Sequence, residues 1–330
     1  MRRFLALMHA RNMEFFRDRG TLFWNLIFPV FLVFGFSFAF SGGNNTLFKV
    51  GILGSPPADG TFMSQSFVEA IPYEDGEVAF NRIRHHQIDI LIDFRQGTYY
   101  INNDSPKGDV AESILLTSDI SDFVRQTVSG KPIRYIDWFV PGVIGMNMMF
   151  SCFFGVGWII VRYRKNGVLK RLKATPVRAL EFVSAQLVSR LFIVLTTSII
   201  VYAGCDLFLN FMMEGSYLNL ISLTTMATVC MIAFGLVFAA RIRSEELANG
   251  LMNIALWPMM AFSGVFFSLE GTPSILQKIS RIFPLTHYLE GARAIMLDGA
   301  GMADIMPNLQ ALIVMLLLFL LLSSLIFKWE

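Results

Sequence analysis

Of the 330 residues, 54% are hydrophobic, only 16% are charged and 32 are Phe, whereas roughly a quarter of an ordinary soluble chain is charged. A net charge of +2 is too weak to suggest nucleic acid, and three cysteines far from any C-x-x-C spacing read as small core residues rather than zinc or disulfide ligands. What remains is a polytopic α-helical membrane protein with one polar insertion.

Residues 1–20 carry Arg2, Arg3, Arg11, Arg17 and Arg19 against Glu14 and Asp18. Phe4, Leu5, Leu7, Met8, Phe15 and Phe16 recur so that a helix there is amphipathic and lies at the membrane surface. The competing signal-peptide reading fits less well, because the apolar run that follows is long for such a segment. A first span is expected at 21–41, long enough to cross about 30 Å of hydrocarbon and kinked at Pro29.

Composition then changes abruptly. From Asn44 to Asp137, thirteen acids face eight bases, a net of −5. Short β-type runs (Phe48–Leu53, Ile88–Phe94, Thr98–Asn102) alternate with helix-like Gly60–Ala70, Glu77–His86 and Val110–Val128. Residues 42–137 are therefore expected to form a small α/β domain. Without the basic excess of cytoplasmic loops, it belongs outside.

A second span is expected at 138–161 and a third at 180–208. Arg190 lies within the third span's first three turns, shallow enough to snorkel toward the inner interface; at the bilayer centre it would cost about 2.5–3.5 kcal/mol. The fourth span is expected at 220–240 and the fifth at 247–269, kinked at Pro258. Residues 270–307 are too interrupted by charge to span, and the helix-like Ser274–Arg281 and Thr286–Leu297 are read as re-entrant or interfacial outer helices. A sixth span at 308–327 places both termini in the cytoplasm, with the basic segments 1–20 and 162–179 inside.

The loop 162–179 holds seven bases (Arg162, Arg164, Lys165, Lys170, Arg171, Lys173, Arg178) and no acid. Leu169 and Leu172, three apart, share a face of any helix formed there. Charge alone fits either a topology signal or a docking helix for a cytosolic partner.

Chemistry is sparse. There is no G-x-x-x-x-G-K-[ST] phosphate loop, no Ser-His-Asp set, and no H-E-x-x-H among the four histidines; His85–His86 reads as a solvated helix face. The pairs Glu74–Asp75 and Asp89–Asp93 fall in the polar domain, and Asp206 lies at the outer end of the third span. An ion-coupled carrier would be expected to hold intramembrane acids, so energy must come from elsewhere, most simply a separate ATPase.

Two segments carry a family resemblance. Gly167-Val168-Leu169-Lys170-Arg171-Leu172-Lys173-Ala174-Thr175-Pro176-Val177 resembles the G-T-L-x-x-L-x-x-T-P-V coupling segment of type-2 ABC exporter permeases. Lys165 stands where that family often has an acid, and Val168 replaces Thr. Ser263-Gly264-Val265-Phe266-Phe267, followed by Phe283-Pro284-Leu285-Thr286-His287-Tyr288 and Arg293, resembles the family's S-G-x-x-F and P-L-T-x-x-x-x-x-x-R ending, with Ser268 where proline is common. The resemblance covers the whole chain and implies a subgroup with an extracytoplasmic domain between the first two spans. It also implies a prokaryotic inner-membrane location and a homo- or heterodimer of permease subunits bound to two cytosolic ABC ATPases. This chain would bind no cofactor; ATP and Mg²⁺ would be used by the partner. Arg164, Gly167, Leu169, Lys170, Arg171, Leu172, Thr175 and Pro176 would form the coupling element, and Ser263, Gly264, Pro284, Thr286, His287 and Arg293 an outer gate.

For the path of an apolar or amphipathic cargo, Asn249, Asn253 and Trp257 repeat every four residues, as do Asn147, Ser151 and Gly155. The same residues also suit simple helix–helix contacts. The competing functional class is a membrane-anchored receptor or scaffold whose outer domain binds ligand; six spans and a basic inner loop exceed what anchoring requires.

Overall fold

A computed structural model describes residues 2–39, 48–55, 65, 67–117, 123–130, 132–174, 179–242, 244–267 and 274–326. The chain divides into two units, Met1–Phe38 with Ile136–Glu330, and Ala39–Tyr135.

In the first unit, α1 (Arg2–Arg17) buries Phe15 and Arg11. Asp18 then caps the short α2 (Arg19–Leu22), accepting from Thr21 N at 3.1 Å and Thr21 Oγ1 at 2.6 Å. These bonds, the Thr21 hydroxyl's first, hold the Asp18 carboxyl below its ordinary value. A π-helical turn, Phe23–Ile27, leads into α3 (Phe28–Ala39). Pro29 has no N–H to offer the Asn25 carbonyl one turn back. That oxygen instead accepts from Asn147 Nδ2 at 2.9 Å, so the kink expected at Pro29 is joined to the second span.

The second unit is a five-stranded sheet of β1 (Phe48–Leu53), β2 (Val68–Tyr73), β3 (Ile90–Asp93), β4 (Thr98–Asn102) and β5 (Val124–Val128). Their order is β2-β1-β3-β4-β5, with only β3 and β4 antiparallel. Alternation sends Leu53, Leu91 and Tyr100 to one face, under Ala79 and Ile83 of α4 (Gly76–Arg84). Val50, Ile92 and Ile101 go to the other, under Ala111 and Leu115 of α5 (Pro106–Leu115). Asp75 and Ser105 cap these helices at their N-termini. Asn102 Nδ2 closes the C-terminus of α4, donating to Ile83 O at 3.3 Å and Arg84 O at 2.8 Å.

Two expectations here need correction. Residues 60–64 and 66 lie outside the described residues, but Val68–Tyr73 is strand where Gly60–Ala70 was read as helix. Val110–Val128 is not one helix: α5 ends at Leu115 and β5 follows. Both missed strands are sheet edges. β5 is polar and exposed, and β2 carries Pro72, which an edge tolerates because one side of it has no ladder to break.

The first unit resumes with α6 (Tyr135–Cys152), a π-helical stretch Phe153–Trp158 and α7 (Ile159–Lys165), one continuous span. After α8 (Val168–Lys173) come α9 (Ala179–Leu209), α10 (Tyr217–Ala239), α11 (Glu245–Phe262), α12 (Ser274–Ser280), α13 (Pro284–Asp298) and α14 (Met306–Ile326). Among the described residues five segments are long and apolar enough to cross a membrane: Arg19–Ser37, Tyr135–Lys165, Ser184–Leu209, Tyr217–Ala239 and Met306–Ile326. The protein is thus a polytopic helical membrane protein. Its second span is the most enclosed, while the first and last are largely exposed.

The helix expected to cross at 247–269 is shorter than read. It starts at Glu245 and stops at Phe262, because Ser263 and Gly264 (φ +75°) turn the chain. At 18 residues it spans about 27 Å. Lipid supplies no hydrophobic drive between helices, so close approach and polar contacts must hold them. Thr228, for example, bonds Thr224 O at 2.6 Å within α10 and contacts Met148 Sδ of α6 at 3.2 Å.

Candidate functional site

A cavity of about 660 Å³ lies between residues 11–29 and the α6–α7 span, with Arg190 contributed by α9. Asn25, Asn147, Ser151 and Arg190 are among its polar lining residues, and Trp24, Phe28, Phe150 and Phe154 among its aromatic ones. The four-residue spacing of Asn147 and Ser151 does place both on the cavity face of α6.

Arg190 does not snorkel, contrary to expectation. It is only 4% exposed. Its Nη2 donates to Ser151 Oγ at 2.5 Å, and its Cζ lies 5.6 Å from the Phe15 ring centroid. The space it uses is the one Gly155 leaves open: a Cβ there would stand 1.9 Å from Arg190 Cζ. Arg190 Nε is buried with no hydrogen-bond partner among the described residues.

Around this centre α1 is tied down by polar contacts. Arg11 donates to Gly155 O at 2.9 Å and to Glu14 Oε2 at 2.7 Å, and Tyr163 Oη donates to the same carboxylate oxygen at 2.8 Å. Ser189 Oγ of α9 donates to Asn12 Oδ1 at 2.5 Å. The amphipathic N-terminal helix is therefore packed on the spans through buried polar groups as well as Phe15.

The basic loop opens with a turn at Asn166–Gly167, where Gly167 sits at φ +67°, a conformation that favours glycine. It then forms α8, a helix of six residues. Leu169 and Leu172 fall on α8, though their side chains, like Thr175 and Pro176 entirely, lie outside the described residues. Lys170 and Arg171 are exposed. Arg164 has a different position: its guanidinium donates to Ala239 O at 2.8 Å, Ile242 O at 2.6 Å and Ala240 O at 3.2 Å, satisfying the open carbonyls at the end of α10. Lys165 Nζ lies 3.5 Å from Glu245 and 3.8 Å from Glu246 at the start of α11. Here the basic residue answers two acids.

Asn249, Asn253 and Trp257 are not brought to the cavity. Asn253 Nδ2 bonds Asn249 O at 2.9 Å and Oδ1 at 3.0 Å, and Trp257 is 59% exposed, so α11 presents them outward as one stripe. The residues after α11 form a knot instead. Thr286 Oγ1 donates to Ser280 O at 2.6 Å and lies 3.0 Å from Ser263 Oγ. Arg293 donates to Gly264 O at 2.7 Å and Trp138 O at 3.2 Å, with its Cζ 3.5 Å from the Trp138 ring centroid. Pro284 opens α13 at its first turn, and His287 Nε2 contacts Arg281 O at 2.9 Å on the exposed side.

Comparison with known proteins decides what this assembly is. The profile of the ABC-2 family transporter proteins matches residues 19–325. The chain belongs to the ABC-2 transporter family. This ABC-2 permease is 20% identical over 369 residues to the protein named "Probable multidrug ABC transporter permease YbhS" of Escherichia coli K12, covering 99% of this chain and 94% of that one. It is 26% identical over 159 residues to "Inner membrane transport permease YhhJ" of the same organism (46% and 41%). It is also 26% identical over 180 residues to "ABC transporter G family member 20" of Dictyostelium discoideum (54% and 25%).

The ABC-2 permease is accordingly a non-catalytic membrane subunit of an ABC transporter. Among its described residues no group of His, Cys, Asp or Glu could hold a metal ion, and Cys152, Cys205 and Cys230 are free and buried. Reading the sequence missed Arg11 and Asn25 as parts of the site. Asn25 had a signal, since it stands four residues before Pro29. Gly155 was named on the Asn147–Ser151 spacing, but not as the space that Arg190 fills.

Proposed function

We propose that this ABC-2 permease is the membrane half of an ATP-driven exporter that moves an apolar or amphipathic cargo outward across a bacterial inner membrane. The observation that carries the reading is the cavity. Its lining combines arginine and other polar groups with aromatic rings, a mixture suited to an amphipathic molecule. In this reading α11 is the sixth crossing, both termini are cytoplasmic, and the α/β unit is extracytoplasmic.

Energy enters at α8. Leu169 and Leu172 dock in a groove of a cytosolic ABC ATPase, while exposed Lys170 and Arg171 steer and rim the contact. Arg164 and Lys165 would transmit the push, since they tie that loop to the end of α10 and the start of α11. The outward stripe Asn249–Asn253–Trp257 is the face offered to a second permease subunit, and the Ser263–Thr286–Arg293 knot stiffens the outer end.

The test is co-purification of the permease with its ATPase from membranes. Leu172→Asp should abolish association and transport while membrane insertion is retained. A retained complex with intact transport would refute the docking assignment.

A further inference from the structure

We propose that the cavity binds an anionic amphiphile, its phosphate or carboxylate headgroup on Arg190 and its acyl chain against Trp24, Phe28, Phe150 and Phe154. The proposal rests on the exporter reading only in calling this molecule cargo; the binding site itself is argued from the local balance of charge.

Each acid lining the cavity is already engaged. Glu14 accepts from Arg11 and Tyr163. Asp18 caps α2 through Thr21, with Arg162 close enough to draw its titration down further. Arg11 in turn is held by Glu14 and Gly155 O. Among the described residues Arg190 has only neutral partners, the Ser151 hydroxyl and the Phe15 ring, and its Nε is buried without a hydrogen-bond partner. A buried cation lacking a counter-charge is costly, and an anion entering the cavity would relieve that cost. Ser151 accepts from Arg190 and so keeps its own proton to donate to the same anion.

The rest of the lining says what carries the charge. Beside its polar groups the lining carries Trp24, Phe28, Phe150 and Phe154, which offer a free inorganic anion nothing but suit an acyl chain. Trp24 and Phe28 are 60% and 39% exposed, on the largely exposed first span. A chain lying along them would leave the headgroup at Arg190 and its tail toward the lipid.

The experiment uses the full-length permease with its ATPase in nanodiscs, without ATP, and a photoactivatable acyl chain on phosphatidylglycerol or on phosphatidylcholine. The anionic lipid should label the Trp24–Phe28 segment about tenfold more than the zwitterionic one, the factor expected of one charge-assisted hydrogen bond. Arg190→Gln should bring that ratio near one, and Arg190→Lys should keep most of it. Trp24→Ala, an exposed truncation that leaves the fold intact, should lower labelling by both lipids several-fold without changing their ratio. Dodecyl phosphate should compete, whereas inorganic phosphate at the same concentration should not.

Equal labelling by the two lipids, or an unchanged ratio in Arg190→Gln, would overturn the headgroup assignment. Unchanged labelling in Trp24→Ala would overturn the placement of the chain. Competition by inorganic phosphate as strong as that by dodecyl phosphate would make this a site for a free anion and overturn the amphiphile. Labelling needs no ATP, so selective labelling with no ATP-driven transport would keep the site and remove the exporter reading. Transport without selective labelling would do the reverse.

Discussion

Asn147 bridges two spans by supplying the proton that Pro29 lacks: its Nδ2 donates to Asn25 O at 2.9 Å. Asn147→Leu removes the donor at similar volume and leaves that carbonyl without its side-chain partner. An orphaned buried carbonyl costs about 1–3 kcal/mol, but hydrogen bonds between membrane helices average about 0.6 and reach about 1.7 kcal/mol. The expected loss is therefore about 1–1.5 kcal/mol. In a Pro29→Ala background residue 29 regains an N–H for the Asn25 carbonyl, so the same substitution should cost less than about 0.5 kcal/mol. The assay is SDS titration of all four proteins in mixed micelles, from which the coupling follows directly. Equal costs in the two backgrounds would show that Asn147 does not compensate for the proline, and the account of this kink would fail.

Arg164→Leu uncovers three carbonyls at the end of α10 and should destabilise the protein by about 2–4 kcal/mol, with faster amide exchange around 239–242. By contrast, Lys170→Ala and Arg171→Ala, both exposed, should leave stability within about 0.5 kcal/mol yet weaken ATPase association in a salt-dependent pull-down. Gly155→Ala would drive a methyl into the Arg190 guanidinium and should cost about 1–3 kcal/mol, seen as lower thermal stability and quicker proteolysis of α1. Asp18 titrates below its ordinary value near 3.8, so its cap contributes fully above that pH and is lost as pH falls through the lower folded value. Asp18→Asn should flatten the acid dependence of α1 proteolysis below pH 3.8 while leaving the rate at pH 7 nearly unchanged, since Asn also caps.

The spans were legible because a twenty-residue apolar run has few alternative fates. The central strands were legible as well, since β1, β3 and β4 bury both faces. Edge strands β2 and β5 were not, because three of six residues in one and four of five in the other are exposed and the alternation fades. The end of α11 at Phe262 was hidden by the apolar Val265-Phe266-Phe267 that follows Gly264. The spacing of Asn147 and Ser151 falls on the face of α6 that lines the cavity, while the same spacing in Asn249 and Asn253 falls on an outward face. Spacing fixes which residues share a face, not which helix that face meets. Arg190 failed for the same reason: its burial depends on a glycine 35 positions away in the chain, and one sequence does not reveal that pairing.

The most direct test of the whole account is transport itself. In inverted vesicles holding the permease and its ATPase, ATP should drive uptake of a fluorescent anionic amphiphile, and both Leu172→Asp and omission of the ATPase should abolish it. Uptake that persists without the ATPase, or that survives Leu172→Asp, would contradict an ATP-driven exporter coupled through α8.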